Sequence, residues 1–276
     1  MRCVTSESGR AGRRRPVWSR SACIALAAGL ILALPAWAEP APTAQEIIAR
    51  SDAVRNPEVP FRLINVLTEY HSGQPKDAVT LLVYSRKERV GGQYRTLVRW
   101  LAPPRDQDKL MLKTGNLMWF YDPASKASVR LSPQQRLLGQ AANGDVVTVN
   151  LALDYRATLE GEETITDADR KSRPCWRLKL DAANDSVTYF RIEYWVDQES
   201  FFPVKGRFYS DSGRLLKTAY YRRPDLQLGH LRPTETIIID GVDTNLVTKM
   251  SFSDYQSREI PDAWFTRDYL PRFRGE

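Results

Sequence analysis

Cysteine and histidine are both scarce: the 276-residue chain has three of the first and two of the second. Cys3 and Cys23 lie near the start, so Cys175 is alone in the remainder. That excludes an intramolecular disulfide there and any Cys-x-x-Cys redox or zinc site. In Arg173-Pro174-Cys175-Trp176-Arg177-Leu178, a predicted strand, a lone thiol reads as a small buried apolar residue. His71 precedes a Ser-Gly turn and His230 follows Gly229. Neither has a partner at metal-ligand spacing. No Gly-x-Ser-x-Gly elbow and no glycine-rich phosphate loop occurs, so no cofactor is expected.

Carboxylates are present but not arranged for catalysis. Asp167-Ala168-Asp169 before Arg170-Lys171 reads as a solvated hairpin tip. Asp181 with Asn184 and Asp185 lacks the ligand ladder and closing Glu of a calcium loop. Glu160, Glu162 and Glu163 read as a charged edge rather than a glycosidase pair. The chain is therefore read as non-enzymatic.

Long apolar runs are also missing. The longest, Ala22 to Leu34, has 13 residues, against roughly 20 for a membrane-spanning helix. It follows Arg13-Arg14-Arg15 and Arg20 and precedes Pro35-Ala36-Trp37-Ala38, an Ala-x-Ala cleavage pattern. Residues 1–38 are expected to be a signal peptide cleaved after Ala38. Arg14-Arg15-Pro16-Val17-Trp18 also loosely resembles a twin-arginine signal; an ordinary basic segment is the simpler reading.

This matters for charge. The formal net charge is +7, from 40 Lys+Arg and 33 Asp+Glu, but residues 1–38 alone hold six Arg and one Glu. Residues 39–276 keep only +2. Arginine interleaves with aromatics (Arg99-Trp100, Phe190-Arg191, Tyr220-Tyr221-Arg222), yet a nearly neutral body does not support nucleic-acid binding. The leader segment makes export the expected fate.

In the body, Thr43 with Glu46 forms a capping box and opens a helix that ends before Asn56-Pro57. From Phe61 the pattern is of strands. They run at Phe61–His71, Ala78–Lys87, Gln93–Leu101, Asp108–Thr114, Leu117–Tyr121 and Ala127–Leu131. After residue 153 they resume at Tyr155–Ile165, Pro174–Leu180, Val187–Val196, Pro203–Ser210, Leu215–Arg222, Arg232–Ile239 and Thr244–Tyr255. Tight turns join them, which predicts antiparallel meanders. Gln134 to Leu153, with Gly139, Asn143 and Gly144, is expected to form one or two short helices and a loop, inserted at 132–153 between two strand-rich halves of one domain, 39–276. In Leu117-Met118-Trp119-Phe120-Tyr121 both alternating faces are apolar, so both faces of the sheet must be covered.

The order of these features resembles the bacterial outer membrane lipoprotein-sorting protein family, within the LolA/LolB-like superfamily of periplasmic lipoprotein carriers. The resemblance rests on Glu46-Ile47-Ile48, the run Gly115 to Pro123, and Arg130-Leu131-Ser132-Pro133-Gln134-Gln135-Arg136-Leu137. It continues in Gly144-Asp145-Val146-Val147, Tyr194-Trp195-Val196-Asp197 with Phe202-Pro203-Val204-Lys205, and Ile260-Pro261-Asp262-Ala263-Trp264-Phe265-Thr266. It implies a mainly β fold: a strongly curved antiparallel sheet of about eleven strands, an incomplete barrel, with the N-terminal helix and a short helical lid over the open side. It also implies a cavity for acyl chains of lipoproteins or other lipids, carried towards the outer membrane, with transient membrane contact and an inner-membrane transporter or exporter as a partner. The alternative is a non-enzymatic envelope interaction module working with a membrane exporter of the resistance-nodulation-division type. Candidate cavity residues are Trp100, Leu110, Leu112, Leu117, Trp119, Tyr121, Leu137, Leu138 and Trp195. The set 117/119/121 shares one strand face; whether that face or 118/120 lines the cavity is open at this point.

Overall fold

The computed structural model describes residues 41–275; the expected signal peptide, 1–38, lies outside the described residues. The chain opens with α1 (Ala44–Arg55), capped as its sequence predicts. The Thr43 hydroxyl accepts from the Glu46 amide, and the Glu46 carboxylate accepts from the Thr43 amide at 2.7 Å.

A first meander follows: β1 (Phe61–His71), β2 (Gln74–Lys87), β3 (Tyr94–Ala102), β4 (Leu110–Thr114), β5 (Leu117–Asp122) and β6 (Ala127–Leu131). A short hairpin, β7 (Arg136–Leu138) and β8 (Ala141–Ala142), and a one-turn helix, α2 (Leu151–Asp154), lead to a second meander. This comprises β9 (Tyr155–Thr166), β10 (Ser172–Ala182), β11 (Arg191–Asp197), β12 (Pro203–Tyr209), β13 (Leu215–Gln227), β14 (His230–Asp240) and β15 (Leu246–Ser257). The first and last strands of the two meanders, β1 and β15, pair antiparallel. The result is one 13-stranded sheet in the order β6-β5-β4-β3-β2-β1-β15-β14-β13-β12-β11-β10-β9. It is curved and does not close into a barrel.

That topology dictates a covering segment. β6 and β9 lie at opposite edges, so the chain between them must cross the whole sheet. Residues 132–154 make that crossing as a strap over one face, here called inner. Leu138, Ala141, Val146 and Val147 of the strap pack in one apolar cluster with Ile47 and Ile48 of α1 and with inner-face residues from β1 through β14. The opposite face is covered near β2 to β5 by the C-terminal 3-10 turns Asp262–Phe265 and Arg267–Arg272. There Ile260, Trp264, Phe265, Leu270 and Phe273 pack on Leu82, Tyr84, Leu97, Leu110, Leu112 and Tyr121. Both sheet faces are therefore covered there, as the doubly apolar strands require. Arg232, 2% exposed, ties α1 down by donating to the carbonyls of Ala53 (3.1 Å) and Val54 (2.9 Å), where a cation meets the negative end of the helix.

The structure departs from the sequence reading in four places. The expected helices in 134–153 are instead the β7–β8 hairpin, a 3-10 turn (Asn143–Asp145) and only four helical residues. Gly139, at φ +53°, turns the hairpin, and a Cβ there would meet Thr248 Oγ1 at 2.3 Å. The sheet has thirteen strands rather than about eleven. β11 begins at Arg191, not Val187; Val187 and Tyr189 belong to the approach to β11 and are buried in the inner cluster. β13 runs five residues further than expected, to Gln227, and β14 begins two residues earlier, at His230, so the ladder continues through Pro224↔Pro233 to a tip at Leu228-Gly229. Asp167-Ala168-Asp169 does form a hairpin tip, and Glu160, Glu162 and Glu163 do lie on an edge strand, β9. Cys175 is buried, and burial pushes its thiol up to about 12. No helix among the described residues is long and apolar enough to cross a membrane.

Candidate functional site

Between the inner face, the strap and the C-terminal end of α1 lies a cavity of about 150 Å³. Its wall from the sheet is mainly apolar, with Phe61 and Leu63 of β1, Val83 of β2, Ile192 of β11, Phe208 of β12, Ile238 of β14 and Met250 of β15, and it also carries Asn65 of β1, Lys217 and Tyr221 of β13 and Thr236 of β14. Its cover is the strap, Gly144 to Val149 and Leu151. Arg55, Asn56 and Pro57 bring the helix end to the same space.

Beside its apolar packing, the strap is tied to fixed elements by polar links. Asp145 of the strap forms a buried ion pair with Lys217 of β13. The same carboxylate accepts from Tyr189 Oη (2.8 Å) and from the Ala142 amide (2.7 Å), and Lys217 also donates to the Gln140 carbonyl at 3.1 Å. Lys217 is 4% exposed, and burial lowers its pKa against the opposing pull of Asp145. Burial, reinforced by Asp145, holds the Tyr189 phenol far above its usual range. At the helix end, Arg55 pairs with Asp52 (2.5 Å) and donates to the Val149 carbonyl (2.9 Å), which also accepts from Asn56 (2.8 Å). Asp52 in turn accepts from the Ala152 amide at 2.8 Å; its burial raises its pKa despite Arg55. Thr148 meets Ser85 of β2 at 2.6 Å and Thr96 of β3 at 3.2 Å. The Gln140 amide donates to Thr248 of β15 at 2.7 Å.

The arrangement has the parts of a binding chamber: a mainly apolar floor, a crossing cover, and paired charges that hold backbone of the cover. Among the described residues no group of three or more His, Cys, Asp or Glu could hold a metal ion.

None of the nine candidate residues lines this cavity. Leu110, Leu112 and Tyr121 are buried on the outer face under the C-terminal turns, with Trp119 packed against them. The Arg267 guanidinium lies over the Trp119 ring at 4.4 Å. Leu117 is exposed. Trp195 packs on the outer face with Cys175 and Val204. Trp100, Leu137 and Leu138 do belong to the inner cluster, away from the open space. The reason is parity. Met111, Met118 and Phe120 join the inner cluster, so their odd and even neighbours point outward. The residues that build the cavity carried a quieter signal: single polar residues in otherwise apolar alternating rows, Asn65 in β1 and Lys217 beside Ala219 and Tyr221 in β13.

Comparison with known proteins gives three structures of high likeness. A LolA superfamily protein from Nitrosomonas europaea is 34% identical, with a TM-score of 0.74 over 83% of this chain and 100% of that one. A DUF1329 family protein from Desulfovibrio piger (19% identity, TM-score 0.70) is matched over 82% of this chain and 97% of its own. A domain described as outer membrane lipoprotein-sorting, from Vibrio parahaemolyticus (18%, TM-score 0.68), is matched over 83% and 98%. The last two, at such identity, bear on the fold alone. A protein family described only as uncharacterized matches residues 92–272. No curated protein matches the chain.

Proposed function

The chain belongs to the LolA superfamily, and from that premise we propose that it is a periplasmic carrier, without catalytic activity, that shelters the acyl part of a lipoprotein or another lipid in the cavity under the strap. The observation that carries this reading is the cavity itself: a mainly apolar wall from the sheet, closed by a crossing segment that is held by side-chain links rather than by sheet pairing. Each acyl CH₂ removed from water contributes about 0.8 kcal/mol, so a lipid crosses an aqueous compartment only inside such a sheath. Release requires that the sheath open, and polar links are suited to that. A chain sealed by a continuous β ladder would have to unfold to let go.

The cavity is small for an acyl chain. At about 150 Å³ it matches an engineered cavity that holds one benzene, so a full acyl chain needs the strap to move outward. The N-terminal 38 residues are proposed as the export signal, and membrane contact or a transporter as the means of loading. The nine outward or packed positions named from sequence give way here to Phe61, Leu63, Phe208, Ile238 and Met250 as cargo contacts.

The test is uptake. The purified protein is mixed with vesicles of phosphatidylethanolamine and phosphatidylglycerol, separated from them, extracted with organic solvent and read by mass spectrometry. About one lipid per protein supports the reading. Protein that carries no lipid, either from this transfer or from its own expression host, overturns it.

A further inference from the structure

The inner row of β1 reads Phe61, Leu63, Asn65, Leu67. Three are apolar and one is an amide. Asn65 is 0% exposed and lines the cavity. Among the described residues, neither its Nδ2 nor its Oδ1 has a hydrogen-bond partner. Its cross-strand neighbours, Leu81 on β2 and Phe252 on β15, offer nothing polar from their side chains. A buried amide without a partner is costly, and leucine would fill the row without that cost. Nor does Asn65 hold the strap, whose links go to Ser85, Thr96, Lys217, Thr248 and the end of α1.

Two charge pairs stand at the cavity, and the Asp154 carboxylate there accepts from Gln93 Nε2 at 2.9 Å. Arg55 is paired with Asp52, although its Nε stays unpartnered, and Lys217 is paired with Asp145. Among the described residues at the cavity, Asn65 alone has a fully buried donor and a fully buried acceptor that both lack a partner. We infer that Asn65 is the cavity's recognition residue, and that the cargo carries an uncharged hydrogen-bonding group, an ester or amide carbonyl or a hydroxyl, buried next to its apolar chain. This rests on the carrier reading and adds to it the class of cargo. A bare hydrocarbon leaves the amide unpaired. An ionised carboxylate brings a charge with no free counter-charge, at a desolvation cost that one amide does not offset.

The test uses an apolar neutral dye, N-phenyl-1-naphthylamine, displaced by monopalmitoylglycerol or by palmitate at pH 8. Three proteins are compared: wild type, Asn65→Leu and Asn65→Ser. In wild type, monopalmitoylglycerol is expected to displace the dye more strongly than palmitate. Asn65→Leu should weaken monopalmitoylglycerol about tenfold relative to the dye and melt at a higher temperature, since it removes an unpaired polar group. Asn65→Ser, which keeps a smaller donor and acceptor, should fall between the two and serves if the leucine variant does not fold. Unchanged monopalmitoylglycerol affinity in both variants, or a wild-type preference for palmitate, overturns the inference while leaving the carrier intact. Wild-type protein that binds neither dye nor lipid overturns both.

Discussion

Replacing Lys217 by methionine removes one end of the link between strap and sheet while keeping the aliphatic stem. The variant loses the ion pair with Asp145 and the bond to the Gln140 carbonyl. It also loses the ammonium that lies 4.8 Å from the Tyr189 ring centre. Truncating one partner of a buried pair costs about 3–5 kcal/mol, because the other charge stays buried. Here Asp145 keeps the Tyr189 hydroxyl and the Ala142 amide, which places Lys217→Met at the lower end, about 3 kcal/mol. Asp145→Asn alone leaves Lys217 buried without its counter-charge and should lose a comparable amount. The double variant leaves neither charge stranded. Its loss should be smaller than the sum of the single losses by at least about 1.5 kcal/mol. Urea unfolding of the four proteins at pH 7 measures the cycle. Stopped-flow entry of N-phenyl-1-naphthylamine should also be faster in both single variants, since the strap has lost a tether. Additive losses within about 0.5 kcal/mol, or unchanged dye entry in a destabilised variant, would refute the assignment of this pair as the fastening of the strap.

Two further outcomes are expected. Trp119→Ala should lower stability by about 2 kcal/mol, less than for a fully buried ring, and leave lipid uptake unchanged; loss of uptake with stability intact would return Trp119 to the site. The Asp167 carboxyl is raised by partial burial but held below its usual range overall by the amides of Lys171 and Asp169 and by Arg173. A folded pKa below the unfolded one gives stability that is present above the unfolded value and lost as pH falls through the folded value. Asp167→Asn should therefore be less stable than wild type by about 1–2 kcal/mol at pH 7. The gap should narrow as pH falls through the carboxylate range, as read from urea midpoints at pH values from neutral downward; a gap that is constant with pH would contradict the account.

How far the sequence spoke depended on the range of the interaction. Local signals were legible: the Thr43–Glu46 box, the Asp167–Asp169 tip and the alternating strands each rest on neighbours within a few residues. The strap was not. Its residues take their shape from Lys217, Thr248, Thr188 and the end of α1, all distant in sequence, and in isolation its Gln, Leu and Ala resemble weak helix. Sheet faces fell between these cases. Alternation separates Trp119 from Met118, but which of them faces α1 and which faces the C-terminal turns depends on elements far along the chain. Asn65 was visible as a polar residue in an apolar row, and it acquires meaning only once its row is known to face open space.

The two free edges set a mechanical property of the sheet. In a closed barrel, strand number and stagger fix the bore. Here β6 and β9 each bond to a single neighbour, β5 and β10. No ladder of hydrogen bonds joins the rims, so the width between them is governed by twist and bending of the sheet. The curvature of the sheet is thus an elastic variable: it can change while every strand pair keeps its register.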